Sequence, residues 1–121
     1  MVGIIYCMQT AAWLNRDDQF PPGQQLFRSK RSFAVWAYTV SHSQLLLRTR
    51  TADGRSRIDI LFKPVEAMKV RTDYDGLTIR CATPEERDQV LAATGHTGRH
   101  HRVLMLETAY GLDYVVTGAV G

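Results

Sequence analysis

Cysteine is scarce in this chain, with two among 121 residues, Cys7 and Cys81. Two isolated thiols build neither a disulfide framework nor a zinc-ligand pattern. Long apolar runs are missing too. No stretch approaches the roughly 18 residues that a membrane-spanning helix needs. Residues 1–14 are apolar, but they lack a basic leader and a small-residue cleavage site, so no secretory signal is expected. These absences read as a cytoplasmic chain with reduced thiols and no membrane association. Lysine is rare, with 3 against 12 arginines, a ratio that coding-base composition sets as readily as recognition does. There is no internal repeat and no low-complexity tract.

What is present is an ordinary globular composition, 45% hydrophobic and 22% charged, in a length that suits one domain. Residues 15–25, a polar stretch with two prolines and a glycine, separate residues 1–25, an N-terminal extension or edge strand with its linker, from a single β-rich domain over 26–121.

From residue 33 the texture is β. Residues 33–40 are aromatic and β-branched, with apolar side chains on both faces. Asp53-Gly54, between two β patterns, predicts a two-residue hairpin turn. That turn fixes a register. Leu47 faces Ile60, Leu45 faces Phe62 and Thr49 faces Ile58 on the core side, because side chains alternate along each strand. The other face pairs Arg48 with Asp59, Arg50 with Arg57, Leu46 with Leu61 and Gln44 with Lys63. Two leucines on a face that should be wet imply that something covers it: the N-terminal segment, the helix or a second subunit.

Pro64 is expected to end or bend the strand, with residues 65–70 as a further short one. Residues 73–76 (Asp-Tyr-Asp-Gly) predict a turn. The one helix is expected over residues 84–94. Thr83 is its N-cap, Pro84 its first residue, Glu86 the partner of a capping box, and Gly95 its stop. Val90, Leu91 and Ala93 form its apolar side. A last hairpin turns at Tyr110-Gly111. The resulting class is mainly β with one helix: a strongly curved antiparallel sheet or partly open barrel of seven or eight strands, with the helix packed against it.

In strand count this layout resembles PH-like and lipocalin-like architectures. A PH-like order would put the helix last, whereas two strands follow it here. Residues 35–48 and 57–63 resemble small bacterial β-rich domains, and that resemblance brings no known activity with it.

Charge is uneven. Residues 26–57 hold seven basic side chains against Asp53. Arg48, Arg50, Arg55 and Arg57 are the candidates for contact with phosphate or an acidic partner. Asp59 is the one carboxylate in a strongly apolar strand, and its expected partner is Arg48. The histidines offer little. His96 and His100 have the i, i+4 spacing of a metal pair, but they lie past the helix stop, where the spacing loses its meaning. Residues 99–102 (Arg-His-His-Arg) present a second phosphate-contacting stretch. His42 stands between Ser41 and Ser43 in a turn, where neighbours cannot aim at each other, and no nucleophile elbow is present.

The reading is therefore a non-catalytic binding or assembly module, a homodimer at its simplest. Its interface candidates are Leu46, Leu61, Phe33, Trp36 and Tyr38. The alternative is nucleic-acid or acidic-partner binding through the basic hairpin 44–63. A small metal or hydrolytic enzyme using histidines comes third. No cofactor and no metal are expected.

Overall fold

A computed structural model describes residues 13–50, 56–95 and 101–121. Six antiparallel strands run β1 (Gln25–Thr39), β2 (Gln44–Thr49), β3 (Asp59–Lys69), β4 (Asp73–Cys81), β5 (Arg102–Thr108) and β6 (Gly111–Val120). Helix α1 (Pro84–Thr94) lies between β4 and β5. The strands close on themselves in the order β1-β2-β3-β6-β5-β4. Closure leaves no long sheet edge open to strand addition.

The seven or eight strands expected become six for two reasons. β1 is one 15-residue strand that bends through three register shifts, so it serves both β2 and β4. β3 runs straight through Pro64. There the register shifts between Val65 and Ala67, and Thr117 Oγ1 donates to the Pro64 carbonyl at 3.0 Å. Pro64 itself stands opposite Gly118 in unbroken register, just before that shift, and the strand continues past it.

Residues 73–76 are likewise strand and not turn. Gly76 takes φ +86° inside β4, opposite the register shift between Ser29 and Ser32 of β1. The positive φ that a turn requires serves a bulge equally well. Tyr74 goes into the interior and anchors that start of β4.

The hairpin register stands as read. Leu45 pairs with Phe62, Leu46 with Leu61, Leu47 with Ile60 and Arg48 with Asp59. Leu45, Leu47, Thr49, Ile60 and Phe62 are buried, which makes their face the inward one. The Asp53-Gly54 turn itself lies outside the described residues.

Phe27, Phe33, Ile79, Leu104, Leu106 and Val115 complete a filled interior, with Phe27 and Phe33 meeting edge to face at 5.9 Å. Each such side chain contributes about 1.5–3 kcal/mol by leaving water.

The helix matches its expected bounds. Thr83 Oγ1 accepts from the Glu86 N–H, the Glu86 carboxylate accepts from the Thr83 N–H at 2.9 Å, and Gly95 takes φ +76°. The helix lies on the outside of the closed sheet, where Val90 and Leu91 pack on Val103 and Met105 of β5 and on Tyr114 and Val116 of β6. Ala93 is a correction, since it faces solvent. Arg80, on the outer face of β4, fastens the helix start. It reaches Glu86 at 2.6 and 2.7 Å and Glu107 at 2.7 Å. This clasp holds the Glu86 carboxyl down at about 2, chiefly through the Arg80 hydrogen bonds.

The polar segment before β1 is built into the same body. Leu14 bridges to Val120, and Arg102 reaches the Asn15 carbonyl and Asp17. No helix among the described residues is long and apolar enough to cross a membrane.

Candidate functional site

The side of the closed sheet opposite the helix is formed by β1, β2 and β3. Three features of sequence shape it. The β1 bulge between Val35 and Ala37 leaves Trp36 without a partner in β2. Trp36 follows Val35, which pairs with the inward Leu47, so alternation turns the indole outward, and the bulge sets Ala37 on the same face. Trp36 is 53% exposed and lies against the Arg48 guanidinium, 5.0 Å from its centre. Beside it the Leu46–Leu61 pair is half-buried. Ala37, paired with Leu46, is exposed on the same face.

The helix does not cover these leucines, so one of the three expected covers is removed. One of the candidate interface residues belongs elsewhere. Phe33 is fully buried in the interior, because it pairs with Thr49 on the inward register. Tyr38 pairs with Leu45, also on the inward register, and emerges 41% exposed near the end of β1. Val40 follows in a 3₁₀ turn, Val40–His42, and is highly exposed. His42 sits in that turn, which ends on Ser43 in the left-handed region.

The arginines of the hairpin are matched by carboxylates. Arg48 donates to Asp59 at 2.9 and 3.2 Å, a forked pair that moves its pKa upward. Arg57 meets the same Asp59 at 3.2 Å. Arg50 turns away to Asp73 on β4, donating through Nε at 2.7 Å and also through Nη2. Arg50 and Arg57, read as cross-strand neighbours, thus each bond to a separate carboxylate. Arg55 lies outside the described residues, as do His96 and His100. Among the described residues no group of three or more His, Cys, Asp or Glu side chains is arranged to hold a metal ion.

Two concavities lie away from this face. One, of about 330 Å³, sits where the segment before β1 meets the end of β4, the start of β5 and α1. Phe20, Cys81, Ala82, Val103 and Leu104 supply apolar wall, and Asp17, Arg87, His101 and Arg102 supply charge. Arg102 stacks over Phe20 at 4.8 Å while bonded to Asp17 at 2.9 Å. Arg87 donates Nη1 to the His101 carbonyl at 2.7 Å, and His101 Nε2 lies 3.6 Å from Glu66. Burial pushes the Cys81 thiol up to about 11. The other concavity, about 390 Å³, is lined by Arg28, Lys30, Asp75 and Glu107 among others.

The sequence points to His101 and Arg102 as part of the phosphate-contacting stretch 99–102, and gives no such role to Arg87 or Phe20. Only the capping-box phase, which fixes where position 87 falls on the helix, carried any signal for Arg87.

A fourth cluster is structural. Tyr74 donates to the buried Asp113 at 2.7 Å and accepts from the Arg71 N–H at 2.9 Å. Lys69 and Arg71 close on the same carboxylate at 3.8 and 3.5 Å. Burial is the main reason that the Tyr74 hydroxyl is shifted well upward. The cluster ties β3, β4 and β6 together.

Comparison with family models, with curated proteins and with solved structures finds no match to this chain.

Proposed function

We propose that this chain is a non-catalytic binding or assembly module that pairs with a second copy of itself through the outer face of β1, β2 and β3. The observation that carries the reading is Trp36. It is half-exposed on a strand of a closed sheet, next to the Leu46–Leu61 pair and on the side that the helix leaves bare.

A large aromatic there is out of place in a monomer and ordinary at the centre of a homodimer interface. The charges beside it favour a second copy over another partner. Arg48 and Arg57 share Asp59, and Arg50 bonds to Asp73, so the face presents both signs in bonded groups. A two-fold interface needs a self-complementary surface, and an apolar centre flanked by ion pairs of both signs meets that need.

The alternative, nucleic-acid or acidic-partner binding by the hairpin 44–63, has less support. Phosphate would have to displace Asp59 and Asp73 from the arginines it needs. The proposal sets the protein in a reducing compartment, in keeping with the free, buried thiol of Cys81.

Sedimentation velocity tests the reading. The protein should sediment as a dimer at micromolar concentration. Trp36→Glu should sediment as a monomer with an unchanged circular-dichroism spectrum. A Trp36→Glu protein that stays dimeric would remove this face from the interface.

A further inference from the structure

The outer face of β1, β2 and β3 does not stop at β3. Leu61 exchanges backbone hydrogen bonds with Gly121 at 2.9 and 3.0 Å, and Leu14 exchanges them with Val120 at 2.8 and 3.1 Å. Val120 is buried and Leu14 packs on the core, so both point inward. Side chains alternate along an extended chain, which sets Gly121 and Trp13 on the outer face. Trp13 is 40% exposed there. One row therefore crosses five neighbouring segments: Trp36, Leu46, Leu61, Gly121 and Trp13. Segments lie about 4.8 Å apart, so Gly121 leaves a slot roughly 10 Å wide between Leu61 and Trp13. A standard interface takes roughly 800 Å² from each copy. Five segments spanning about 19 Å come nearer to that than three spanning about 10 Å. Two residues along the strands from Leu46 and Leu61, the same face carries Arg48 opposite Asp59.

A two-fold axis relating two facing surfaces lies in the plane of contact, either across the strands or along them. An axis across the strands, following the row, sets Trp36 on Trp36 and leaves slot facing slot. An axis along the strands, between β2 and β3, sets each residue over the cross-strand neighbour it has in its own chain. Leu46 then meets the partner's Leu61. Arg48 meets the partner's Asp59 and Asp59 meets the partner's Arg48, which closes a ring of four alternating charges. Trp36 lies one segment outside Leu46, and Gly121 one segment outside Leu61. The indole of one copy thus enters the slot of the other. Large side chains meet small ones, and each charge meets its opposite.

We propose that a second copy docks on this five-segment row about a two-fold axis running along the strands between β2 and β3, with the partner's Trp36 seated over Gly121 beside Trp13 and the partner's Asp59 facing Arg48. This arrangement rests on the reading of the face as a homodimer interface.

The test exchanges the two charges. Arg48→Asp combined with Asp59→Arg keeps an ion pair within each chain and keeps the ring in a dimer of swapped chains. In a mixed dimer with the natural chain, arginine meets arginine and aspartate meets aspartate. The swapped chain is mixed with ¹⁵N-labelled natural chain, equilibrated and weighed by native mass spectrometry. The swapped chain should pair with itself. Mixed dimers should fall roughly fivefold or more below the share that two natural batches give. Gly121→Phe fills the slot. It should weaken dimerisation roughly tenfold or more in sedimentation velocity, with an unchanged circular-dichroism spectrum.

Mixed dimers at their full statistical share, a folded swapped chain that stays monomeric, or a Gly121→Phe protein that dimerises as the natural chain does would each overturn the arrangement. If the swapped chain does not fold, Gly121→Phe decides alone. Any of these results beside a monomeric Trp36→Glu removes the axis and leaves the face. A natural chain that is monomeric throughout removes both.

Discussion

Removing the charge of Glu86 should weaken the fold in a way that fades with acid. The clasp of Arg80 on Glu86 and Glu107 is the polar tie between the helix start and the sheet. Glu86→Gln keeps the length, the capping-box acceptor and the packing, and deletes only the ion pair. The Glu86 carboxyl lies at about 2 in the folded protein, against an ordinary 4.5. Such a depression is worth at most about 3 kcal/mol at neutral pH. Water reaching the clasp screens it, and about 1–2 kcal/mol should remain. The sign follows from the direction. A carboxylate held below its ordinary value stabilises fully above about pH 4.5, and this stabilisation is lost as pH falls towards 2. Urea unfolding of both proteins between pH 7 and 3 reads the difference directly. The gap should be about 1–2 kcal/mol at pH 7 and less than half of that by about pH 3. A gap that stays constant over this range would show that the clasp does not act through charge. No gap at pH 7 would show that the helix start is held by its packing alone.

Three further outcomes follow from the interior. Gly118→Ala should destabilise by about 1–3 kcal/mol in urea unfolding, because an added Cβ would lie 2.8 Å from Pro64 Cδ, a ring atom with no rotamer to escape into. Asp113→Asn should cost about 3 kcal/mol in the same assay, since Asp113 is 1% exposed and receives Tyr74, Lys69 and Arg71. The Cys81 thiol, buried and shifted to about 11, should resist a disulfide-exchange reagent at pH 8 in the native protein and react at once in guanidinium.

The parts of this fold that were legible in the sequence are those fixed by neighbours in the chain. The helix carries its own start and stop in Thr83, Glu86 and Gly95. The β2–β3 register is written in the alternation on either side of Asp53-Gly54. The parts that were not legible depend on distant partners. Pro64 and Gly76 signal that the backbone does something special, and that signal is the same for a chain reversal as for a bulge inside a strand. Phe33 and Trp36, three residues apart, fall on opposite faces by strand alternation, and only the pairing with β2 settles which of them faces inward. The arginines read as a basic patch, because Asp73, the partner of Arg50, is far along the chain. The concavity beneath α1 was legible only in His101 and Arg102, for the same reason. Phe20, Arg87 and Arg102 meet only once the sheet has closed.

Native mass spectrometry of the purified protein over a range of concentrations tests the central claim most directly. The account predicts a mass of two copies for the natural chain and of one copy for Trp36→Glu. A single-copy mass for the natural chain at every concentration would contradict it.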